Sequence, residues 1–113
     1  MKPSFVYFGT PDIAAETLQV LFDNDYIPKL IVTGPDRLAG RGMKVVQSDV
    51  KVWADEHNIK TIQPEKITEE IISELKEIDC DIFIVVAYGK ILPESIINMK
   101  KYGTLNIHYS LLP

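Results

Sequence analysis

An α/β fold with a mostly parallel sheet is what this sequence predicts, on three observations. Short, unbroken apolar runs such as Phe5-Val6-Tyr7-Phe8 and Ile82-Phe83-Ile84-Val85-Val86-Ala87 read as strands buried on both faces. Between such runs lie stretches with apolar residues at helical spacing, opened by residues suited to capping. Strand alternating with helix at this interval requires crossover connections, which lay successive strands parallel and right-handed. The 113 residues suffice for one domain, spanning 1–113, with a core that buries roughly two-thirds of its unfolded surface.

The elements follow in order. Residues 4–8 form the first strand, ending at Gly9. Thr10 is a good N-cap, Pro11 suits the first helical position, and Asp12 complements the positive end of the helix dipole. Ala14, Leu18, Leu21 and Phe22 give that helix its apolar stripe, through about Asp25. Residues 30–33 form a second strand, after which a polar, glycine-containing loop runs from Gly34 to about Gln47. A second helix is expected over residues 49–58, with Val52 and Trp53 buried and His57 on its surface. Residues 60–63 read as a short edge strand terminated by Pro64. Thr68 caps a third helix whose apolar face is Ile71, Ile72, Leu75 and Ile78. The run 82–87 is the most hydrophobic and reads as a central strand. Residues 93–99 make a short helix, and Gly103 hands over to a last strand. On that strand Thr104, Asn106 and His108 share one face, while Leu105 and Ile107 point the other way, toward a core.

Bulk properties exclude several classes. A hydrophobic fraction of 46% with 25% charged residues is ordinary for a soluble globular domain. A net charge of −4 gives no general attraction for nucleic acid, although a local basic loop remains open. One cysteine, Cys80, rules out an internal disulfide and suits a reducing compartment. Its neighbours Asp79 and Asp81 would raise a thiol pKa, so a reactive thiol is not expected. The first apolar strand is too short for a signal-peptide core, and no run reaches eighteen apolar residues. A cytoplasmic domain is the expectation.

Four constellations carry chemistry. Gly9-Thr10-Pro11-Asp12 sits where a dinucleotide fold would place its glycine fingerprint, but the second and third glycines are missing and Asp12 would repel a pyrophosphate. A tight turn with a helix cap explains these residues. Between Pro35 and Lys44, Arg37, Arg41 and Lys44 are interleaved with Gly40 and Gly42. Both a solvated loop and a contact for phosphate or an anionic polymer fit that pattern. Tyr88-Gly89-Lys90-Ile91-Leu92-Pro93 leaves the central strand, either as a plain connection or as the wall of a site for a flat heteroaromatic ligand. Asn106 and His108 together present an amide and an imidazole that can hold an oxygen as it turns negative in a tetrahedral intermediate. His108 as a hydrogen-bonded strand-end residue or a metal ligand are the competing readings. Metal binding is poorly supported, because the other histidine, His57, lies elsewhere and no Cys-x-x-Cys occurs.

Taken together, Asn106-Ile107-His108 with Ser110-Leu111-Leu112-Pro113 resembles the Asn-x-His-x-Ser-Leu-Leu-Pro signature of formyltransferases that use 10-formyltetrahydrofolate. Phe8-Gly9-Thr10-Pro11-Asp12, Pro35-Asp36-Arg37, Gly40-Arg41-Gly42 and Val85-Val86-Ala87-Tyr88-Gly89 with Ile91-Leu92-Pro93 look like the methionyl-tRNA branch of that family. The resemblance implies a Rossmann-like three-layer fold. It implies Asn106 and His108 as catalytic residues, Ser110, Leu111, Leu112 and Pro113 in the folate-binding loop, and Tyr88 to Leu92 along the pterin. Arg37 and Arg41 would face the acceptor end of methionyl-initiator tRNA, and no metal is implied. Two departures stand out: Gly34 and Leu38 occupy positions where members usually carry glutamine and proline. Tyr109, where members often carry smaller residues, is expected to face away from the Asn106–His108 pair.

The chain resembles the amino-terminal piece of such an enzyme. The aspartate that family members place after the Ser-Leu-Leu-Pro loop is not within it, nor is a C-terminal RNA-binding domain. Three readings follow from the residues and the resemblance: formyl transfer to methionyl-initiator tRNA, formyl transfer to an amino sugar nucleotide, and a non-catalytic fragment. Isolated, the piece is expected to be inactive and to self-associate through a sheet edge that would otherwise be covered.

Overall fold

The computed structural model describes residues 2–109. Among the described residues the elements run β1 (Phe5–Gly9), α1 (Asp12–Asp23), β2 (Leu30–Val32), β3 (Arg37–Ala39), β4 (Lys44–Val46), α2 (Asp49–Glu56), β5 (Thr61–Ile62), α3 (Glu69–Glu77), β6 (Ile82–Val86), α4 (Glu94–Ile97) and β7 (Thr104–Ile107). Five strands form one parallel sheet in the order β5-β2-β1-β6-β7. The most apolar strands, β1 and β6, are thereby interior, and the two-residue β5 is an edge, as the residue pattern predicts.

Because successive side chains alternate across a strand, β1 splits its bulk between two cores. Val6 and Phe8 join Leu30, Val32, Phe83 and Val85 on the face covered by Leu75 of α3 and Ile96 of α4. Phe5 and Tyr7 join Ile31 and Val86 on the opposite face, covered by Ala14 and Leu18 of α1 and by Val50, Trp53 and Ala54 of α2. Helices on both faces of a parallel sheet make the three layers of a Rossmann-like α/β fold.

Several local expectations are corrected. Thr10 does not cap α1: Pro11 stands at the N-cap with extended backbone, and no side chain caps that end. The helix stops at Asp23, two residues early, because Asp25 takes a left-handed φ of 66°. Thr68 caps α3 through the Ile71 amide, as expected, and Ser48, for which no expectation was made, caps α2 by accepting from the Lys51 amide at 3.0 Å. In α2, which ends at Glu56, Trp53 is buried as expected, but Val52 is 44% exposed because Val50 and Ala54 complete the inward stripe instead. His57 is half-buried rather than on the helix surface, stacked on Trp53 with ring centroids 3.9 Å apart.

The expected loop from Gly34 to Gln47 is instead an antiparallel hairpin, β3 against β4, with Leu38 opposite Val45. Gly40, Gly42 and Met43 all take positive φ at its tip, the geometry that closes a short ribbon. Cys80 is buried with its thiol pKa raised, chiefly by that burial. Asp81 adds only the smallest contribution, and Lys100 and Lys29 oppose it.

Among the described residues no helix is long and apolar enough to cross a membrane.

Candidate functional site

The carboxyl ends of the parallel strands are where α/β sheets gather chemistry, and the loops after β1, β2, β5 and β6 converge there. Thr104 and Asn106 of β7 lie beside Phe83 and Val85 of β6 in register, so both face the α3 and α4 side of the sheet. There they line a cleft of about 310 Å³ with Val85, Lys90, Ile91, Leu92 and Ile97. Val85, Ile91, Leu92 and Ile97 make its apolar lining, and Lys90, Thr104 and Asn106 are its polar members. Thr104 is fixed by its hydroxyl, which donates to the Ile97 carbonyl at 2.9 Å.

His108 follows β7 rather than continuing it, is exposed, and is not among the residues lining the cleft. On the other face, Ile107 packs against the α1 and α2 core. Leu105 does not: it is 49% exposed, because β7 is the last strand of the described sheet and its outward neighbour is solvent. Tyr109 faces away from Asn106, as expected, and shares a hydrogen bond of 2.6 Å with Thr17 of α1.

The segment after β6 is sharply kinked, with φ of 51° at Ala87 and 89° at Gly89. This turn sends Tyr88 back into the core, edge-on to Phe8 at 5.5 Å, instead of along the cleft. Burial pushes its phenol up to about 12, and its hydroxyl has no hydrogen-bond partner among the described residues. Of the expected wall, Lys90, Ile91 and Leu92 line the cleft and Tyr88 does not. Lys90 donates to the Glu65 carbonyl at 2.7 Å, and with Lys66 it borders a shallower groove of about 640 Å³ beside the cleft. Cationic side chains thus flank an apolar slot.

Arg37 and Arg41 are both exposed on the hairpin, with Lys44 beside them. Leu38, Met43 and Val45 on the same ribbon are 57%, 61% and 66% exposed, an unusual concentration of uncovered apolar surface on a two-stranded element. The sequence pattern signals the cations but not the ribbon that displays them, because the hairpin's turn chemistry lies in Gly40, Gly42 and Met43 rather than in an Asn-Gly pair. At the ribbon's base, Gln63 donates to the Gly34 carbonyl at 3.1 Å and to the Asp36 carboxylate at 2.8 Å. The buried Thr33 hydroxyl meets Ser48 at 2.6 Å. Sequence reasoning missed Gln63 because its role depends on β5 lying beside β2.

Ser110, Leu111, Leu112 and Pro113 lie outside the described residues. Among those described, no group of three or more His, Cys, Asp or Glu side chains sits together.

Comparison with known proteins adds independent findings. A family model described as formyl transferase matches residues 1–113. The methionyl-tRNA formyltransferase of Sulfurihydrogenibium sp. (strain YO3AOP1) is 47% identical over 110 residues, covering 96% of this chain and 35% of that protein. The methionyl-tRNA formyltransferase of Caldanaerobacter subterraneus subsp. tengcongensis is 46% identical over 110 residues, covering 96% of this chain and 36% of that protein. The one from Alcanivorax borkumensis is 45% identical and covers 100% of this chain and 35% of its own length. The chain therefore spans about a third of the length of the curated relatives it matches.

Proposed function

The chain belongs to the formyl transferase family, and from that premise we propose that it serves formyl transfer from 10-formyltetrahydrofolate to the α-amino group of methionyl-initiator tRNA in the cytoplasm. The observation that carries this reading is Asn106 of β7 lining a largely apolar cleft, together with Arg37 and Arg41 exposed on the β3–β4 hairpin. A slot of about 310 Å³ walled by Val85, Ile91, Leu92 and Ile97 suits a flat heteroaromatic ring. The folate cosubstrate, when bound, supplies the formyl carbon.

The chain's own residues would then act as follows. Asn106 donates a hydrogen bond to the formyl oxygen as negative charge develops on it, a contribution of about 3–4 kcal/mol for one such donor. An α-amino group with a pKa near 7.8 is neutral in roughly a seventh of molecules at pH 7, so the nucleophile needs only modest activation. His108, which follows β7, would on this reading donate to the same oxygen or carry a proton to the departing nitrogen. Ser110 to Pro113 complete the folate-binding loop on this reading. Arg37 and Arg41 contact the phosphates of the RNA acceptor end, where guanidinium groups bind bidentately.

The test is a transfer assay with charged initiator tRNA, using the complete open reading frame that carries this sequence. Asn106→Ala is expected to lower kcat by roughly 10²–10³ while leaving folate affinity within about twofold. Near-normal turnover in Asn106→Ala would sink the assignment. Preference for an amino sugar nucleotide over charged tRNA would instead favour the alternative acceptor.

A further inference from the structure

Thr10 makes two hydrogen bonds that neither its helix nor the proposed chemistry uses. Its hydroxyl donates to the Tyr88 carbonyl at 2.8 Å and accepts from the Gly34 amide at 3.2 Å. Gly34 is the root of the β3–β4 hairpin, and Tyr88 opens the segment whose Lys90, Ile91 and Leu92 line the Asn106 cleft. The Thr10 carbonyl also accepts from the Val50 amide at 3.2 Å, just after the hairpin's second strand enters α2.

We propose that Thr10 is a positioning residue that couples the base of the hairpin to the wall of the Asn106 cleft. A hydroxyl is both donor and acceptor, and here the two roles are divided between two loops. Pointing its proton at the Tyr88 carbonyl turns a lone pair toward Gly34, so each bond orients the other. Gly34 permits this approach: a Cβ there would meet Thr10 Cγ2 at 3.1 Å and Oγ1 at 3.3 Å. Both segments depend on such ties. The hairpin strands pair with each other and not with the main sheet, so the ribbon's direction is set at its base. The cleft wall leaves the sheet through two left-handed residues, Ala87 and Gly89, and Thr10 holds the carbonyl between them. This inference rests on the proposed function only for what the two segments bind; the coupling itself requires no ligand.

The test measures backbone amide shifts and hydrogen exchange across the full chain, without ligand. Thr10→Val keeps the volume and loses both bonds. It should accelerate exchange about fivefold at residues 37–46 and also at 89–92, leaving β1 and β6 unchanged. Thr10→Ser, which keeps the hydroxyl, should restore both segments. Gly34→Ala approaches from the other side: its methyl presses on Thr10, and the amides of 89–92 should shift although the substitution lies in the hairpin's root. A response confined to one segment, a uniform acceleration across the sheet, or failure of Thr10→Ser to restore would overturn the coupling. If Thr10→Val does not fold, Gly34→Ala decides alone, and unmoved 89–92 amides refute it. Loss of formyl transfer with the coupling intact would count against the proposed function and leave this inference standing.

Discussion

Replacing Tyr88 with phenylalanine should make the protein more stable, and increasingly so in alkali. Tyr88 is 3% exposed and its hydroxyl is buried without a partner among the described residues. A buried, unsatisfied polar group costs about 1–3 kcal/mol. The void left by one oxygen, on the order of 15 Å³, returns about 0.4 kcal/mol of that as lost packing. The edge-on contact with Phe8 is kept, because it involves the ring and not the hydroxyl. Tyr88→Phe should therefore gain about 1 kcal/mol at pH 7, roughly 5 °C in Tm for a domain of this size.

The alkaline part follows from linkage. Burial raises the Tyr88 phenol from 10.0 to about 12, so the folded state holds this proton more tightly than the unfolded state. That stabilisation is complete below pH 10 and is lost as pH rises through 12. At pH 11, one pH unit above the unfolded value, the loss is about 1 kcal/mol. Tyr7, also raised by burial, erodes both proteins alike. Urea unfolding followed by the fluorescence of Trp53, the single tryptophan, reads both numbers. A variant less stable than the parent at pH 7, or a gap that fails to widen by pH 11, would refute the reasoning.

Two further predictions rest on packing. Gly9→Ala should destabilise by about 3 kcal/mol or more, because the added Cβ would lie 2.7 Å from Ala14 Cβ and 2.9 Å from the Val86 carbonyl; a Tm within about 3 °C of the parent would contradict this. The open side of β7, with Leu105 49% exposed, should support concentration-dependent self-association in size exclusion. Leu105→Lys should weaken that association, and a parent that elutes as a monomer at every concentration would count against it.

The sequence carried most of the scaffold because scaffold formation is local here. The run from Phe5 to Phe8 is apolar without interruption, so it has to be buried on both faces, whatever surrounds it. Thr68 announces its helix through a hydroxyl that reaches only three residues ahead. Alternation likewise puts Thr104 and Asn106 on one face of β7 before any neighbour is known. The shared face of Thr104 and Asn106, which lines the cleft, was therefore legible.

What the sequence could not decide depends on contacts between residues far apart in the chain. Thr10 looks like a cap because capping is the short-range use of a threonine hydroxyl. In the fold, residues 24 and 78 positions away claim it instead. Tyr88 seemed to belong to the cleft, but left-handed turns on either side of it reverse its direction. Leu105 read as a core residue since alternation gives its face, yet only the sheet order shows that β7 is the last strand among the described residues. The sequence by itself thus determined which residues form strands and helices and which faces are apolar, properties that periodicity and caps encode locally. Tertiary structure alone decided how those faces are shared and where each polar side chain finds its partner, because hydrogen bonds and burial are settled by neighbours in space.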